Sequence, residues 1–198
     1  VVDFAAHSSC SVINGLTDLA HPCQALADVY TIKEHFGDLS GLHLAWVGDG
    51  NNVARSLVEA CGHLGVKLSV CTPPGYELQD QFVKQAKQQY PKLDLTTTHD
   101  PIAAVKDASA VYTDVWVSMG QEAEKEKRKR DFANYQVNGK LMSAAPKDAL
   151  FLHCLPAHRG EEVTDEVIDG PNSAVVPQAA NRMHVQKGIL VWLLASKA

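Results

Sequence analysis

Short apolar runs at Leu42–Val47, Val66–Cys71, Leu93–Thr97, Ala110–Thr113, Leu150–Leu152 and Ala174–Val176 punctuate the chain, each of strand length. Between them, apolar positions recur at helical spacing over Asn52–Leu64, Leu78–Tyr90, Pro101–Asp107, Glu122–Asn134 and Thr164–Ile168, and a closing helix is predicted from Asn181 to Ser196. Apolar strands alternating with helices suit a parallel sheet covered on both faces, so the expected fold class is α/β, doubly wound and mostly parallel. Ahead of the first strand, a helix should start at Pro22, where proline suits the first turn, and end at Gly37, which suits a C-terminal cap. Residues 1–19 hold only a strand-like piece, Cys10–Asn14, with no second strand before it to pair with. That unpaired edge, and an opening Val1 rather than Met, point to a processed product or a fragment.

Composition narrows the function classes. At 198 residues and 45% hydrophobic content the chain can bury one domain, or one domain and an appendage. A net charge of −5 and a pI near 6.0 supply no cationic field, so nucleic acid is not an expected partner. The longest apolar run, Ile189–Ala195, is too short to span a membrane, and no basic-then-apolar leader opens the chain. Cys10, Cys23, Cys61, Cys71 and Cys154 are odd in number and lack CxxC spacing, which suggests a reducing compartment, cytosol or an organelle matrix. The charge run Glu122–Arg130 places Glu124 with Arg128 and Glu126 with Arg130 at i,i+4 spacing, the pattern of a solvated helix face.

In a doubly wound sheet, ligands sit beyond the carboxyl ends of the strands where strand order reverses, and three unusual loops occupy such ends. Gly48-Asp49-Gly50-Asn51-Asn52 opens a helix, where small residues leave room for a ligand and free backbone N–H groups can meet it. A dinucleotide fits poorly: Val53 stands where a third glycine belongs, and the next strand ends in Cys71-Thr72-Pro73 without an acidic ribose acceptor. Asn51 or Asn52 acting simply as an N-cap accounts for the same residues. Asp114–Gly120 (DVWVSMG) offers a carboxylate that could pair with an amino acid's ammonium, or an ordinary turn with Asp114 and Ser118 bonded locally. His153-Cys154-Leu155-Pro156 puts a thiol and an imidazole at the same edge. A histidine-activated hydrolase nucleophile, or a zinc site of His153, Cys154 and His158, are alternatives without a second supporting cluster.

Two further places suit an anionic, carbonyl-bearing ligand. His21 and Gln24, three apart at a helix N-terminus, share a face where the dipole favours negative charge, although capping explains them equally well. Arg182 falls in the first turn of the closing helix, where a cation is misplaced unless an anion or a surface ion-pair partner lies nearby.

Taken together, INGLTDLAHPCQALAD (Ile13–Asp28), WVGDGNN (Trp46–Asn52), DVWVSMG, HCLPAHRG (His153–Gly160) and Asn181-Arg182 resemble the ornithine carbamoyltransferases in order and spacing across essentially the whole chain. The resemblance implies transfer of a carbamoyl group from carbamoyl phosphate to the side-chain amine of L-ornithine, giving citrulline and phosphate with no cofactor and no metal. It places His21, Gln24 and Arg182 as donors to the carbamoyl end of carbamoyl phosphate. Asn52, Asp114, Ser118 and Met119 would hold ornithine, Asp114 taking the α-ammonium, with Leu155 also lining the substrate site. Cys154 would lie beside the ornithine and tune its amine with Asp114, without a thioester. A free amino-acid head suits Asp114, whereas putrescine or acetylornithine would waste it, and aspartate would call for cations these loops lack.

The implied organisation is a carbamoyl-phosphate-domain remnant over residues 1–20, an interdomain helix at 21–37, a Rossmann-like ornithine-binding domain at 38–180 and a C-terminal helix at 181–198. The family's Ser-x-Arg-Thr-Arg phosphate loop does not occur in these residues, so the chain alone is expected to turn over little. The resemblance also implies a homotrimer for the full-length protein. A different class of function, an amino-acid-binding domain without catalysis, is disfavoured by the intact HPCQ and Arg182.

Overall fold

The computed structural model describes residues 1–118 and 120–195. Helices α1 (Val2–His7) and α2 (Pro22–Phe36) precede β1 (His43–Val47), α3 (Asn52–Leu64), β2 (Lys67–Cys71), α4 (Asp80–Gln89) and β3 (Leu95–Thr98). Then follow α5 (Pro101–Val105), β4 (Ala110–Thr113), α6 (Lys125–Phe132), α7 (Gly139–Met142), β5 (Leu150–His153), α8 (Asp165–Ile168) and α9 (Val175–Ala195). The five strands form one sheet in the order β3-β2-β1-β4-β5, with every pairing parallel, as the alternation of strands and helices implies. Strand order reverses between β1 and β4, so the loops after β1, β4 and β5 open on one crevice.

Alternation along the strands divides the core. Leu44 and Trp46 of β1, with Leu68, Tyr112 and Leu152, pack on one face with Val29 and Ile32 of α2 and Leu57 of α3. Ala45 and Val47, with Val111 and Phe151, face the other way, against Val105, Phe132 and Tyr135. All five positions of β1 are buried, as in a central parallel strand, and after His43 its sequence is continuously apolar.

The local signals explain most element ends. Pro22 opens α2, and Gly37, at φ 81°, ends it with its N–H on the Lys33 carbonyl. Asn51 caps α3, its side chain accepting from the Val53 and Ala54 amides, and Gly65 ends it in the left-handed conformation. Gly50 is needed for close packing: a Cβ there would stand 2.6 Å from the Leu78 amide nitrogen. The glycine therefore admits the protein's own backbone, whereas the sequence suggested room for a ligand.

Several expectations fail. Ala174–Val176 is not a sixth strand: Ser173 makes a single parallel bridge to Phe151, and α9 begins at Val175. A β-branched pair looks identical at the start of a helix and in a strand. The closing helix thus starts about six residues before Asn181, which puts Arg182 about two turns inside it, so the first-turn electrostatic argument for that residue does not hold. Cys10–Asn14 forms no strand, having no partner edge, and the unexpected α1 lies ahead of it. The Glu122–Asn134 helix is broken into a 3-10 turn at Glu122–Glu124, α6, and a second 3-10 turn at Ala133–Tyr135. No helix among the described residues is long and apolar enough to cross a membrane.

Candidate active site

The crevice is built by hydrogen bonds that join the three loop tips. At the end of β4, Asp114 is buried, and its Oδ1 accepts from the Val115 amide at 2.7 Å and from the Cys154 thiol, beyond β5, at 2.9 Å. Its Oδ2 accepts from Asn51 Nδ2, beyond β1, at 2.9 Å. A carboxylate oxygen has two lone-pair sites, so Oδ1 is filled while Oδ2 keeps one for a further donor. Burial, then the adjacent Asp114 charge, push the Cys154 thiol well above its ordinary pKa. A thiol that donates to Asp114 in this way is placed as a hydrogen-bond donor, which counts against the hydrolase-nucleophile alternative.

His153 is locked by both neighbours in sequence and space. The Leu155 amide donates to His153 Nδ1 at 2.8 Å, so the ring proton sits on Nε2, 3.2 Å from Glu162 Oε1. Glu162 is fully buried and also accepts from the His158 amide. Leu155 itself adopts φ 58°, a left-handed conformation costing a branched residue about 1–3 kcal/mol, which the surrounding contacts must hold in place. Such retained strain at a loop tip is typical of functional sites.

The residues that the resemblance assigns to carbamoyl phosphate form a second cluster. Gln24 Oε1 accepts from Arg182 Nη1, and Gln24 Nε2 donates to Asp28 Oδ1 at 2.7 Å. His21 donates its amide to Ser56 Oγ at 2.7 Å, while its ring Nδ1 is buried without a hydrogen bond, as is Arg182 Nε. Burial, reinforced by the Arg182 charge, lowers the His21 pKa, favouring a neutral ring. Arg182 Nε always carries its proton and can meet a ligand's oxygen; His21 Nδ1 can do so in the tautomer that puts the ring proton there.

Not every candidate converges. Asn52 donates its side-chain N–H to the Thr17 carbonyl at 2.7 Å, tying α3 to the N-terminal segment. It is Asn51 that reaches Asp114, a second role the capping pattern concealed. The Ser118 amide donates to Gln121 Oε1 at 3.1 Å, and Met119 lies outside the described residues. Among the described residues, Asp114, His153 and Cys154 form one group close enough to share an ion, and His158, Glu161 and Glu162 another; the trio of His153, Cys154 and His158 is not gathered.

Three supporting residues escaped the sequence. Arg128, expected on a solvated face, is buried: its Nη1 donates to Asp49 Oδ2 at 2.7 Å and to the Trp116 carbonyl at 3.0 Å, while Nε meets Glu124 Oε2 at 3.3 Å. The expected Glu124–Arg128 pair therefore forms, but the guanidinium also joins the loop after β1 to the loop after β4. Asp28 stands four residues after Gln24, a helical pair spacing that the motif already displayed. Gln178 had no signal, because its segment was read as leading out of a strand.

Comparison with known proteins follows this geometry. Residues 40–193 match the family model of the aspartate/ornithine carbamoyltransferase Asp/Orn binding domain, and residues 1–34 that of the carbamoyl-P binding domain. The ornithine carbamoyltransferases of Bacillus subtilis and Carboxydothermus hydrogenoformans are 55% and 54% identical over 98% of the chain. The solved ornithine carbamoyltransferase of Pyrococcus furiosus superposes with a TM-score of 0.90 at 53% identity, covering 96% of this chain and 61% of that one. The anabolic enzyme of Campylobacter jejuni gives 0.91 at 36% identity, covering 98% and 65%. The chain spans 61% and 63% of the length of the two bacterial relatives first named. With a family model matched over most of its length, this chain belongs to the aspartate/ornithine carbamoyltransferase family.

Proposed function

We propose that this chain supplies the amino-acid half of an ornithine carbamoyltransferase site. The observation that carries the reading is the Asp114 carboxylate, fixed by Cys154, Val115 and Asn51 with one acceptor position left open. An α-ammonium fits that position, because it brings both a donor and the opposite charge. Ornithine held by its head in this way would extend its side-chain amine toward the carbamoyl carbon. The neutral amine attacks, the new C–N bond forms, the bond to the phosphate oxygen breaks, and the proton lost from the nitrogen leaves with the phosphate. Most of the rate would come from positioning two substrates and from donors to the developing oxyanion.

In this reading His21 and Arg182 offer those donors, and Gln24 does so by turning its amide from Asp28. Cys154, protonated, keeps Asp114 oriented; Leu155, Ser118, Met119 and Asn52 complete the acceptor side. Residues 1–20 belong with the carbamoyl-phosphate part, 21–37 join the parts, and the ornithine-binding body from residue 38 on is closed by α9. The phosphate itself would be held by residues beyond these 198, and the working enzyme would be a homotrimer in the cytoplasm or an organelle matrix.

The test is steady-state kinetics of the natural gene product with L-ornithine, putrescine and N-acetylornithine. Ornithine should be the preferred acceptor, and Asp114→Asn should lower its kcat/KM by about 10- to 200-fold, the range for losing a hydrogen bond between charged groups. Equal use of putrescine, or an Asp114→Asn variant as active as the parent, would contradict the reading.

A further inference from the structure

The amide of Gln178 is used at both ends in a place with no access to solvent. The His153 backbone N–H can only donate, and it lies 2.9 Å from Gln178 Oε1, which fixes the amide so that Nε2 faces Asp28 Oδ1 at 2.6 Å. Gln24 repeats the arrangement: the Arg182 guanidinium can only donate, so Oε1 faces it and Nε2 points to the same Asp28 oxygen, 2.7 Å away. Gln24, Asp28 and Gln178 are each no more than 1% exposed, leaving no room for water to substitute. A continuous chain thus runs from the β5 tip that carries Cys154, through Gln178, Asp28 and Gln24, to Arg182.

We propose that Gln178 is a positioning residue that couples the two substrate half-sites. The inference rests on the preceding functional reading, which puts Gln24 and Arg182 on the carbamoyl side and Cys154 on the ornithine side. For Gln24 to donate to carbamoyl phosphate, its Nε2 must leave Asp28, and Gln178 then becomes the remaining donor to that oxygen. Occupancy of one half-site is in this way passed to the His153 backbone and to the placement of Cys154 against Asp114. Gln24 donating to Asp28, as here, and Gln24 donating to a ligand would be two hydrogen-bonded arrangements of this chain, which is the physical requirement for coupling.

The experiment measures binding of L-norvaline, which keeps the amino-acid head and lacks the attacking amine, to the natural gene product by calorimetry, with and without carbamoyl phosphate. In the parent, carbamoyl phosphate should tighten norvaline binding by about fivefold or more. Gln178→Met, similar in shape but unable to donate or accept in this way, should reduce that factor to below about twofold. Gln178→Leu, which has neither an acceptor for His153 nor a donor to Asp28, should lose the coupling as well and serves if the methionine variant does not fold. A full coupling factor in either folded variant overturns the proposal. Absence of norvaline binding in the parent would instead overturn the functional reading, and the inference with it.

Discussion

Arg128 offers the sharpest perturbation of the scaffold. Its side chain is 7% exposed and that of its partner Asp49 13%, so the Arg128→Met substitution strands a carboxylate where solvent barely reaches. Burial already pushes the Asp49 carboxyl up against the pull of the guanidinium, which shows how poorly that charge would be solvated alone. Removing one partner of a buried pair costs about 3–5 kcal/mol, because the remaining ion keeps its desolvation penalty and loses its compensation. For a domain of this size that corresponds to a fall in Tm of about 6–20 °C. The double variant Asp49→Asn with Arg128→Met removes the stranded charge and should recover a large part of the loss. Thermal unfolding followed by circular dichroism measures both. A single variant melting within about 2 °C of the parent, or a double variant no better than the single, would refute the reasoning.

Two further outcomes follow from buried groups. Burial raises the Asp28 carboxyl from 3.8 to about 7, although Gln178 and Gln24 pull it down, so the folded chain holds a proton that the unfolded chain has released. Stability relative to Asp28→Asn should therefore fall as pH rises from about 4 to about 7, by up to about 4 kcal/mol, and flatten above it; a pH-independent difference in urea titrations would count against a raised value. Because Asp114 helps hold Cys154 as a thiol, iodoacetamide at mildly alkaline pH should modify exposed Cys10 before Cys154, and Asp114→Asn should quicken modification of Cys154. Peptide mass spectrometry resolves the order, and early labelling of Cys154 in the parent would be the contrary result.

The fold was legible wherever one local pattern had one meaning. Asn52–Leu64 reads as a helix from its cap, its apolar spacing and its closing glycine, and the structure has it there. Ala174–Val176 reads wrongly as a strand because a β-branched pair at the start of a helix has no helix-specific mark. Part of the candidate site was legible: Asp114 and Cys154, forty residues apart, meet at neighbouring strand tips, as parallel topology allows. What stayed hidden were pairings across long separations, such as Arg128 with Asp49 and Gln178 with Asp28, 79 and 150 residues apart. A charge in a charged run, or a lone glutamine, carries no local signal of such a partner. Asn51 was hidden differently, since its carbonyl satisfies the capping pattern while its amide nitrogen reaches Asp114.

The most direct test is a crystal structure of the natural gene product with carbamoyl phosphate and L-norvaline bound together. The norvaline α-ammonium should lie about 2.7–3.2 Å from Asp114 Oδ2, with Asn51 and Cys154 still holding the carboxylate. An ammonium seated elsewhere, with Asp114 keeping only its present three partners, would contradict the account.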